Sequence, residues 1–407
     1  MKVHEILILK FGGSVLDDDA TIRKASKMVK DAVDRGFRIV VVVSALKGMT
    51  DNLLNLSKKL NPEVPLDLMD EILAMGEKTS ARIFTNALLA EALNAIPIDT
   101  DSDCWPIITN ENHGDASPLD IPTRDRVEKG LRPMLDLSQI PVVCGFIGRS
   151  MSGSITTMGR GGSDTTAVVL GNYLNAKEVI LVKDVSSVLS SDPSKVNGTV
   201  PIDELDSEEA FALASGGAKF LHSKSLKYKP GHMRIRVSSL NNNPFSGTVI
   251  DGGTPDIKIV MMSENISKIT LIGPKMTDTE ILTHVIQTVK ENEGRVISMS
   301  IDPKTATFYI EGGMNMADEI HSTVVGGKMA KAVSSFEGLS MLSVGGNAME
   351  TIPGMIQRVA QPLAHAGINI YGMTTIGSSI RLFINTNDSQ KALDLLRKAL
   401  TMFNPEF

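Results

Sequence analysis

Two glycine-rich segments combine a basic residue with backbone that can approach an anion closely. One is KFGGS at 10–14, directly after an apolar run, and the other is GRGGSDTT at 159–166, directly before an apolar helix. Adjacent glycines leave backbone N–H groups open to an anion, while Lys10 or Arg160 supplies the countercharge. Ser163 or Asp164 is expected to cap the helix of the second segment. Phosphate or carboxylate binding is predicted for both, and an ordinary turn with a solvated basic side chain is the alternative.

Two further segments carry polar groups that suit a small charged substrate. SALKGMT at 44–50 follows the end of a predicted strand, and MGEKTSA at 75–81 lies in a stretch apolar enough for a buried helix. A buried Glu77 requires a partner, because an unpaired buried carboxylate is costly. That partner is either a substrate ammonium or a nearby lysine. The sequence contains no GxxxxGK[ST] motif, which excludes a P-loop as the phosphate site.

The first part of the chain alternates strand-like runs with amphipathic helices, which predicts an α/β fold. Apolar residues at helical spacing between 22 and 33, followed by Gly36, predict a helix with a glycine at its C-terminal end. Asp206 and Glu209 form a capping-box pattern for another helix. Short runs rich in Val, Ile and Leu predict strands buried in a mainly parallel sheet at Ile6–Phe11, Ile39–Ser44, Pro141–Ile147 and Val179–Val182.

A turn-rich stretch at 241–256 marks a domain boundary, and a weak internal repeat follows it. ITLIG ending at Gly273 corresponds to MLSVG ending at Gly345, and GRVIS from Gly294 corresponds to GINIY from Gly367. Each copy reads strand, helix, strand, strand, helix, strand. We therefore predict two tandem βαββαβ units after the first domain.

Composition narrows the class of protein. The 407 residues carry a formal charge of −6, which argues against a nucleic-acid groove or an anionic membrane surface as the main partner. The two cysteines form no CxxC pair, so neither a disulfide scaffold nor a structural metal site is expected, and a reducing compartment fits. The apolar N-terminal stretch is too short for a signal peptide, and no run reaches transmembrane length. A cytoplasmic location is expected.

Taken in order, the motifs resemble those of the aspartate kinases, which are amino-acid kinases with paired C-terminal ACT domains. The matching segments are KFGGS (10–14), VSALKGMTD (43–51), MGEKTSA (75–81), GFIG (145–148), TTMGRGGSDTTA (156–167), SDP (191–193) and GAKFLH (217–222). The resemblance implies an amino-acid kinase fold, with a mainly parallel sheet between helices, followed by two βαββαβ ACT domains. The corresponding boundaries are 1–255, 256–335 and 336–407.

The resemblance also implies roles for residues around L-aspartate and the phosphates of ATP. Phosphoryl transfer would depend on Lys10, Lys219 and Mg²⁺ as cations, with Asp164 orienting the reacting lysine. The implied catalytic residues are therefore Lys10, Asp164 and Lys219. The implied aspartate-binding residues are Ser44, Thr50, Glu77, Phe146, Arg160 and Ser163. The implied nucleotide-binding residues are Lys10, Gly12, Gly13, Ser14, Lys183, Asp184, Leu189, Asp192, Lys195 and Lys219.

The chain departs from the family pattern on the nucleotide side. A threonine–aspartate pair is common in the family where this chain has Lys183-Asp184, and a tyrosine is common at Leu189. The DPR triplet of the family is Asp192-Pro193-Ser194 here, with Lys195 one place late. These changes bear on nucleotide affinity and leave the aspartate pocket intact.

ACT domains bind small amino acids, so the resemblance implies feedback control by lysine or threonine. The candidate effector contacts are Asn347, Met349, Ile368 and Asn369, although TTIGSS at 374–379 replaces a serine-rich stretch that ends in glutamate in many family members. ACT units pair across subunits, so a homodimer or larger assembly is expected.

Three functions remain open at this stage. The first is aspartate kinase, which forms 4-phospho-L-aspartate at the entry to lysine, threonine and methionine synthesis. The second is a sibling amino-acid kinase with another acid as substrate. The third is a catalytically weak subunit that senses amino acids, which the departures on the nucleotide side would explain.

Overall fold

A computed structural model of the protein describes residues 5–218, 220–253, 258–312, 316–346, 349, 353–376 and 379–401. The chain folds into two compact units, one within residues 1–254 and one within 255–404. None of the helices in the described ranges is both long enough and apolar enough to cross a membrane.

Helices and strands alternate through most of the chain. The helices are α1 (Asp19–Asp34), α2 (Met49–Leu60), α3 (Leu66–Ala90), α4 (Asp120–Arg126), α5 (Arg132–Asp136), α6 (Gly162–Tyr173), α7 (Ser207–Ser215), α8 (Ser223–Leu226), α9 (Thr279–Glu291), α10 (Met316–Val324), α11 (Met355–His365) and α12 (Ser389–Thr401). The strands of the first unit are β1 (Ile6–Phe11), β2 (Arg38–Val43), β3 (Ala95–Ile98), β4 (Ile108–Thr109), β5 (Ile140–Cys144), β6 (Ile147–Ser150), β7 (Ile155–Thr157), β8 (Glu178–Lys183), β9 (Val188–Leu189), β10 (Pro201–Ile202), β11 (Glu204–Asp206), β12 (Arg234–Ser239) and β13 (Thr248–Asp251). Those of the second unit are β14 (Lys258–Ile272), β15 (Arg295–Ile301), β16 (Thr305–Glu311), β17 (Ala332–Gly345), β18 (Ile370–Ile376) and β19 (Ser379–Asn385).

The first unit is built on an eight-stranded sheet in the order β11-β13-β12-β8-β1-β2-β5-β3. Its centre is parallel, because β1 pairs in parallel with both β2 and β8, and β2 pairs in parallel with β5. All six residues of β1 are buried. Such continuous burial requires cover on both faces of the sheet, which confirms the predicted α/β sandwich.

Local sequence accounts for some of the element ends in this unit. Gly36, with a φ of 91°, follows the end of α1 as predicted, and its N–H bonds the Val33 carbonyl at 2.8 Å. The capping box of Asp206 and Glu209 at α7 is confirmed. The predicted strand at 141–147 is wrong as a single element, because Phe146 has a φ of 66° and separates β5 from β6.

The second unit contains a six-stranded sheet in the order β15-β16-β14-β17-β19-β18. β14 and β17 are long strands with register shifts between them, and each contributes side chains to two separate hydrophobic cores. One core, with α9 and α10, includes Ile269 and Phe308, and the other, with α11 and α12, includes Leu342 and Leu382. Both cores repeat the same order of helices and strands, which confirms the internal repeat.

The two repeats are nested rather than strictly tandem. The segment Lys258–Met261 of β14 pairs with 342–345 of β17, and Ile259 lies in the core of the second repeat. The segment 266–272 of the same strand pairs with β16 and belongs to the first repeat. The second repeat therefore takes its last strand from the chain ahead of the first repeat. The boundaries at 255/256 and 335/336 stay predictions.

Nesting predicts that Ile259→Ala weakens the second repeat and Ile269→Ala weakens the first. Both side chains are buried, so each change should cost about 2–5 kcal/mol of local stability. Hydrogen exchange followed by mass spectrometry should show faster exchange in β19 and α12 for Ile259→Ala, and in β16 and α9 for Ile269→Ala. A tandem arrangement would instead give faster exchange in β16 and α9 for both variants.

Candidate active site

The carboxyl ends of four neighbouring parallel strands, β8, β1, β2 and β5, meet at one edge of the large sheet. Lys183 ends β8, Lys10 is the last residue but one of β1, and Ser44 directly follows β2. Ligands of parallel α/β sheets bind at this edge, where helices begin and side chains from several strands converge. The motifs that were separate in the sequence therefore meet in space.

A cavity of about 280 Å³ opens at this edge. Its volume suits a ligand of the size of an amino acid, because small-molecule sites begin at about 300 Å³. The cavity is lined by Lys10, Ser44, Thr50, Glu77, Phe146, Gly159, Arg160, Gly161, Gly162, Ser163 and Asp164. All six residues that were predicted to bind aspartate are among them.

Asp164 lies between two lysines. Its Oδ1 is 2.7 Å from Lys10 Nζ, and its Oδ2 is 3.0 Å from Lys183 Nζ. Burial alone would raise the pKa of Asp164, but the charges and hydrogen bonds of the two lysines hold that pKa well below its usual range. Burial lowers the pKa of Lys10, and the charge of Asp164 opposes the shift. Asp164 therefore stays ionised and orients Lys10.

Glu77 is the second carboxyl group of the cavity and has the opposite environment. It is 2% exposed, and burial raises its pKa to about 8 against the opposing effects of the Ala45 N–H and of Lys10. Its Oε2 has no hydrogen-bond partner within the described part of the chain. A buried carboxyl oxygen without a partner is costly, so a cationic group of a ligand is the partner that this site favours.

Two glycines of the motifs allow backbone to pack closely at the site. A Cβ at Gly13 would lie 2.9 Å from the Ala45 carbonyl oxygen, which brings the 10–14 turn against the 44–50 loop. A Cβ at Gly161 would lie 2.2 Å from His222 Cβ, and Gly161 has a φ of 75°.

Gly161, not Ser163 or Asp164, is the N-cap of α6, so the predicted cap is wrong. Both polar side chains instead face the cavity.

The loop that carries Arg160 is held by a lysine that lies outside every predicted motif. Lys224 Nζ donates to Asp115 Oδ1 at 2.7 Å and to the carbonyls of Ala116 and Met158 at 3.0 Å each. Its partner atoms lie 66 to 109 residues away in sequence. No local pattern could have revealed them.

A second support of the same loop is the buried carboxylate of Asp70 on α3. Asp70 accepts from His113 Nδ1 at 2.8 Å, from the Gly114 N–H at 3.2 Å and from Thr157 Oγ1 at 2.5 Å. Thr157 ends β7, directly before the 159–166 segment. An aspartate inside a predicted buried helix was the only sequence signal of this role.

The residues predicted for the nucleotide are not all at the cavity. Lys10 lines it and Lys183 contacts Asp164, whereas seven others lie outside its lining. Those seven are Gly12, Gly13, Ser14, Asp184, Leu189, Asp192 and Lys195. Gly12 and Gly13 follow β1 directly, and Leu189 lies in the β9–β10 hairpin. Lys219 lies outside the described residues, and its role stays a prediction.

Three of the four predicted effector residues are described. Met349 and Ile368 are buried in the core of the second repeat, so their side chains are occupied by packing. Asn369 is exposed just before β18. Asn347 lies outside the described residues. Effector binding at this turn stays a prediction, and Asn369 is the side chain there that faces solvent.

A ligand set for a divalent cation is absent from the described ranges, in which no three His, Cys, Asp or Glu side chains cluster. Both oxygens of Asp164 contact lysines. Mg²⁺ usually binds through one or two carboxylates together with substrate phosphates. The described residues therefore offer no protein-held magnesium site.

Comparisons with known proteins agree with the geometry. A model of the amino acid kinase family matches residues 5–239, and an ACT domain model matches 334–398. The aspartokinase of Mycolicibacterium smegmatis is 30% identical over 97% of this chain and 96% of its own, and that of Geobacillus stearothermophilus is 28% identical over 97% of each.

Solved structures show the same fold. An aspartate kinase from Synechocystis, at 22% identity, has a TM-score of 0.73 over 97% of this chain and 69% of its own. Escherichia coli aspartokinase III in complex with aspartate and ADP, also at 22% identity, has a TM-score of 0.56 over 98% of this chain and 100% of its own. The same enzyme in complex with lysine and aspartate has a TM-score of 0.54 over 98% of this chain. With its family-model match and full-length relatives, the chain belongs to the amino acid kinase family and, within it, to the aspartokinases.

Proposed function

We propose that this protein phosphorylates the side-chain carboxylate of L-aspartate with ATP and releases ADP and 4-phospho-L-aspartate. The observation that carries the proposal is Glu77, a buried carboxyl group with a partnerless Oε2 in the same cavity as Arg160. Glu77 suits a free α-ammonium, and Arg160 suits an α-carboxylate through a bidentate contact. Together they select an unmodified amino acid.

The chemical step needs little from the protein beyond positioning and cations. A side-chain carboxylate with a pKa of about 4 is already ionised at neutral pH, so no general base is required. One of its oxygens bonds to the γ-phosphorus while the bond from phosphorus to the β–γ bridging oxygen breaks and ADP keeps the electron pair. Lys10, held by Asp164, stabilises the negative charge shared by the reacting oxygens. We propose that Mg²⁺ enters on the phosphates of ATP.

We also propose how the second unit contributes to assembly and regulation. The second unit has two edge strands, β15 and β18, with exposed apolar side chains such as Met299 and Ile376. Such edges favour pairing with another copy of the chain, so we propose a homodimer or larger assembly through the ACT repeats. Lysine or threonine is the proposed effector, near Asn369. Two free cysteines fit a reducing, cytoplasmic setting.

The other candidate function is a sensor subunit with weak catalysis, which Leu189 and Ser194 favour. Against it, Lys10 and Asp164 form an ion pair at 2.7 Å in a cavity that Glu77 and Arg160 also line. A third candidate, a kinase that acts on an acylated amino acid, conflicts with Glu77, because an acylated nitrogen carries no charge for that carboxylate to bind.

The test of the proposed function is formation of hydroxamate from ATP, Mg²⁺ and L-aspartate, with hydroxylamine trapping the acyl phosphate. Glu77→Gln should raise KM for aspartate about 10- to 100-fold, because it removes a charge-assisted hydrogen bond to the ammonium. Glu71→Gln, on the exposed side of the same helix, is the matched control and should change nothing. N-acetyl-aspartate should not react.

Two outcomes would contradict this assignment. Turnover of N-acetyl-aspartate at the rate of aspartate would indicate an acylated substrate. Amino-acid binding without turnover of any acid would indicate the sensor. In the latter case Lys10→Ala would leave binding of lysine or threonine unchanged, because Lys10 belongs to the first unit.

The raised pKa of Glu77 predicts that aspartate binding strengthens with pH. In the free protein the carboxyl group is protonated below its pKa of about 8, and it must lose that proton to pair with an ammonium. The kcat/KM for aspartate should therefore rise about tenfold per pH unit from pH 6 and level off near pH 8. Glu77→Gln should flatten this rise, and calorimetry in two buffers should show proton release on binding. A pH-independent kcat/KM in the wild type would exclude a protonated Glu77.

The same pKa predicts an effect on stability. Glu77 holds its proton up to about pH 8 in the folded protein but only up to about 4.5 in the unfolded chain. Its contribution to the free energy of unfolding is therefore greatest below pH 4.5 and is lost as the pH rises to about 8. Without substrate, the stability advantage of Glu77→Gln over the wild type should grow by about 2–3 kcal/mol between pH 6 and pH 8.5. Denaturant titrations at both pH values test this, and a constant difference would contradict it.

A further inference from the structure

We propose that Lys183 is a further phosphate-binding lysine, which holds the triphosphate of the phosphoryl donor together with Lys10. This inference rests on the proposed function, because the anion that it names is the donor of that reaction. It goes beyond the family pattern, in which a threonine is common at this position.

The position of Lys183 places its ammonium at the phosphate-binding edge of the sheet. It is the last residue of β8, the parallel neighbour of β1, and Val182 pairs with Phe11. The Gly12 N–H points to the Val182 carbonyl at 3.5 Å, and a Cβ at Gly12 would lie 3.5 Å from Lys10 Nζ. Lys10, the glycine turn and Lys183 therefore adjoin one another at a single strand end.

The side chains at the cavity carry more positive than negative charge, which favours an anionic ligand. Three cations, Lys10, Lys183 and Arg160, lie at or beside it, whereas Asp164 is its one permanently ionised carboxylate in the described part of the chain. Glu77 is mostly protonated at neutral pH in the absence of substrate. Positive charge therefore exceeds negative charge among these side chains, of which Lys10, Asp164 and Glu77 are buried. A polyphosphate is the ligand that would balance this excess on the side of Lys10 and Lys183.

Lys183 has donors left for that ligand. An ammonium group carries three N–H donors, and the contact with Asp164 Oδ2 uses one of them. The side chain is 16% exposed, compared with 7% for Lys10, so part of it is accessible to solvent. Asp164 can therefore hold both lysines in place while each donates to phosphate oxygens.

A purely structural role for Lys183 makes a different prediction. If Lys183 only positions Asp164, its removal should lower kcat through a misplaced Lys10 and leave the affinity for phosphates unchanged. If it contacts phosphate, its removal should weaken polyphosphate binding even when no aspartate is present. Affinity for an anion without a nucleoside therefore separates the two roles.

The experiment measures binding of inorganic tripolyphosphate by isothermal titration calorimetry, in EDTA, to the full chain. Lys183→Thr should weaken binding about 10- to 100-fold, as expected for loss of a hydrogen bond from a charged donor. Lys177→Thr is the matched control, because Lys177 precedes the opposite end of the same strand and pairs with Glu5 on the surface. It removes the same charge from the chain and should leave the affinity unchanged.

Two more variants keep the test decisive. Lys183→Gln removes the charge with little change in volume and should weaken binding as Lys183→Thr does, and Lys183→Arg should retain most of the affinity. Thermal unfolding of each variant identifies any that fails to fold. In the kinase assay, Lys183→Thr should raise KM for ATP by a similar factor and leave KM for aspartate unchanged.

Wild-type affinity for tripolyphosphate in both Lys183→Thr and Lys183→Gln would overturn the proposal, whatever happens to kcat. Equal weakening in Lys177→Thr would overturn it too, because the effect would then reflect net charge alone. The proposed function fails separately. A wild type that binds tripolyphosphate but phosphorylates no aspartate would refute the kinase assignment, while the comparison of variants still decides the role of Lys183.

Discussion

The carboxylate of Asp164, shared by the ammonium groups of Lys10 and Lys183, is the interaction on which the rest of the site depends. Burial lowers the pKa of Lys10, while the charges of the two lysines hold the pKa of Asp164 well below its usual range. The three groups meet because β1 and β8 are parallel neighbours and α6 begins beside their carboxyl ends. The topology of the sheet, which brings residues 10, 164 and 183 together, thus determines that Asp164 is ionised.

Asp164 and Glu77 show how the same functional group acquires two roles within one cavity. Two lysines keep Asp164 ionised, whereas burial raises the pKa of Glu77 to about 8 despite the charge of Lys10. Asp164 therefore acts as a permanent counterion, and Glu77 Oε2 is left without a hydrogen-bond partner in the described part of the chain. The difference has a consequence for stability, since a partly unsatisfied buried carboxyl group weakens the free protein until an ammonium arrives.

Sequence patterns predicted the parts of this architecture that depend on short-range periodicity. Buried runs such as Ile6–Phe11 and the capping box at Asp206 follow from local spacing, and the C-terminal repeat follows from its period. The predictions that were wrong concern features that depend on long-range contacts. The left-handed backbone of Phe146 and the N-cap at Gly161 reflect packing against distant segments. Likewise, the nested strand Lys258–Met261 pairs with residues about 80 positions later.

More of the residues proposed for aspartate than of those proposed for the nucleotide line the cavity, and physical reasons account for the difference. Lys10 and Ser44 lie at the carboxyl ends of parallel strands, whereas Thr50 and Glu77 lie on α2 and α3 beside that edge, so the parallel topology accounts for part of the convergence. On the phosphate side, the family pattern places a threonine where this chain has Lys183, and a pattern cannot say what a substituted side chain contacts. Burying two lysines for a polyanion creates repulsion in the empty site. A single carboxylate that bonds both, as Asp164 does, limits that repulsion without neutralising both charges, and so keeps the site attractive to phosphate.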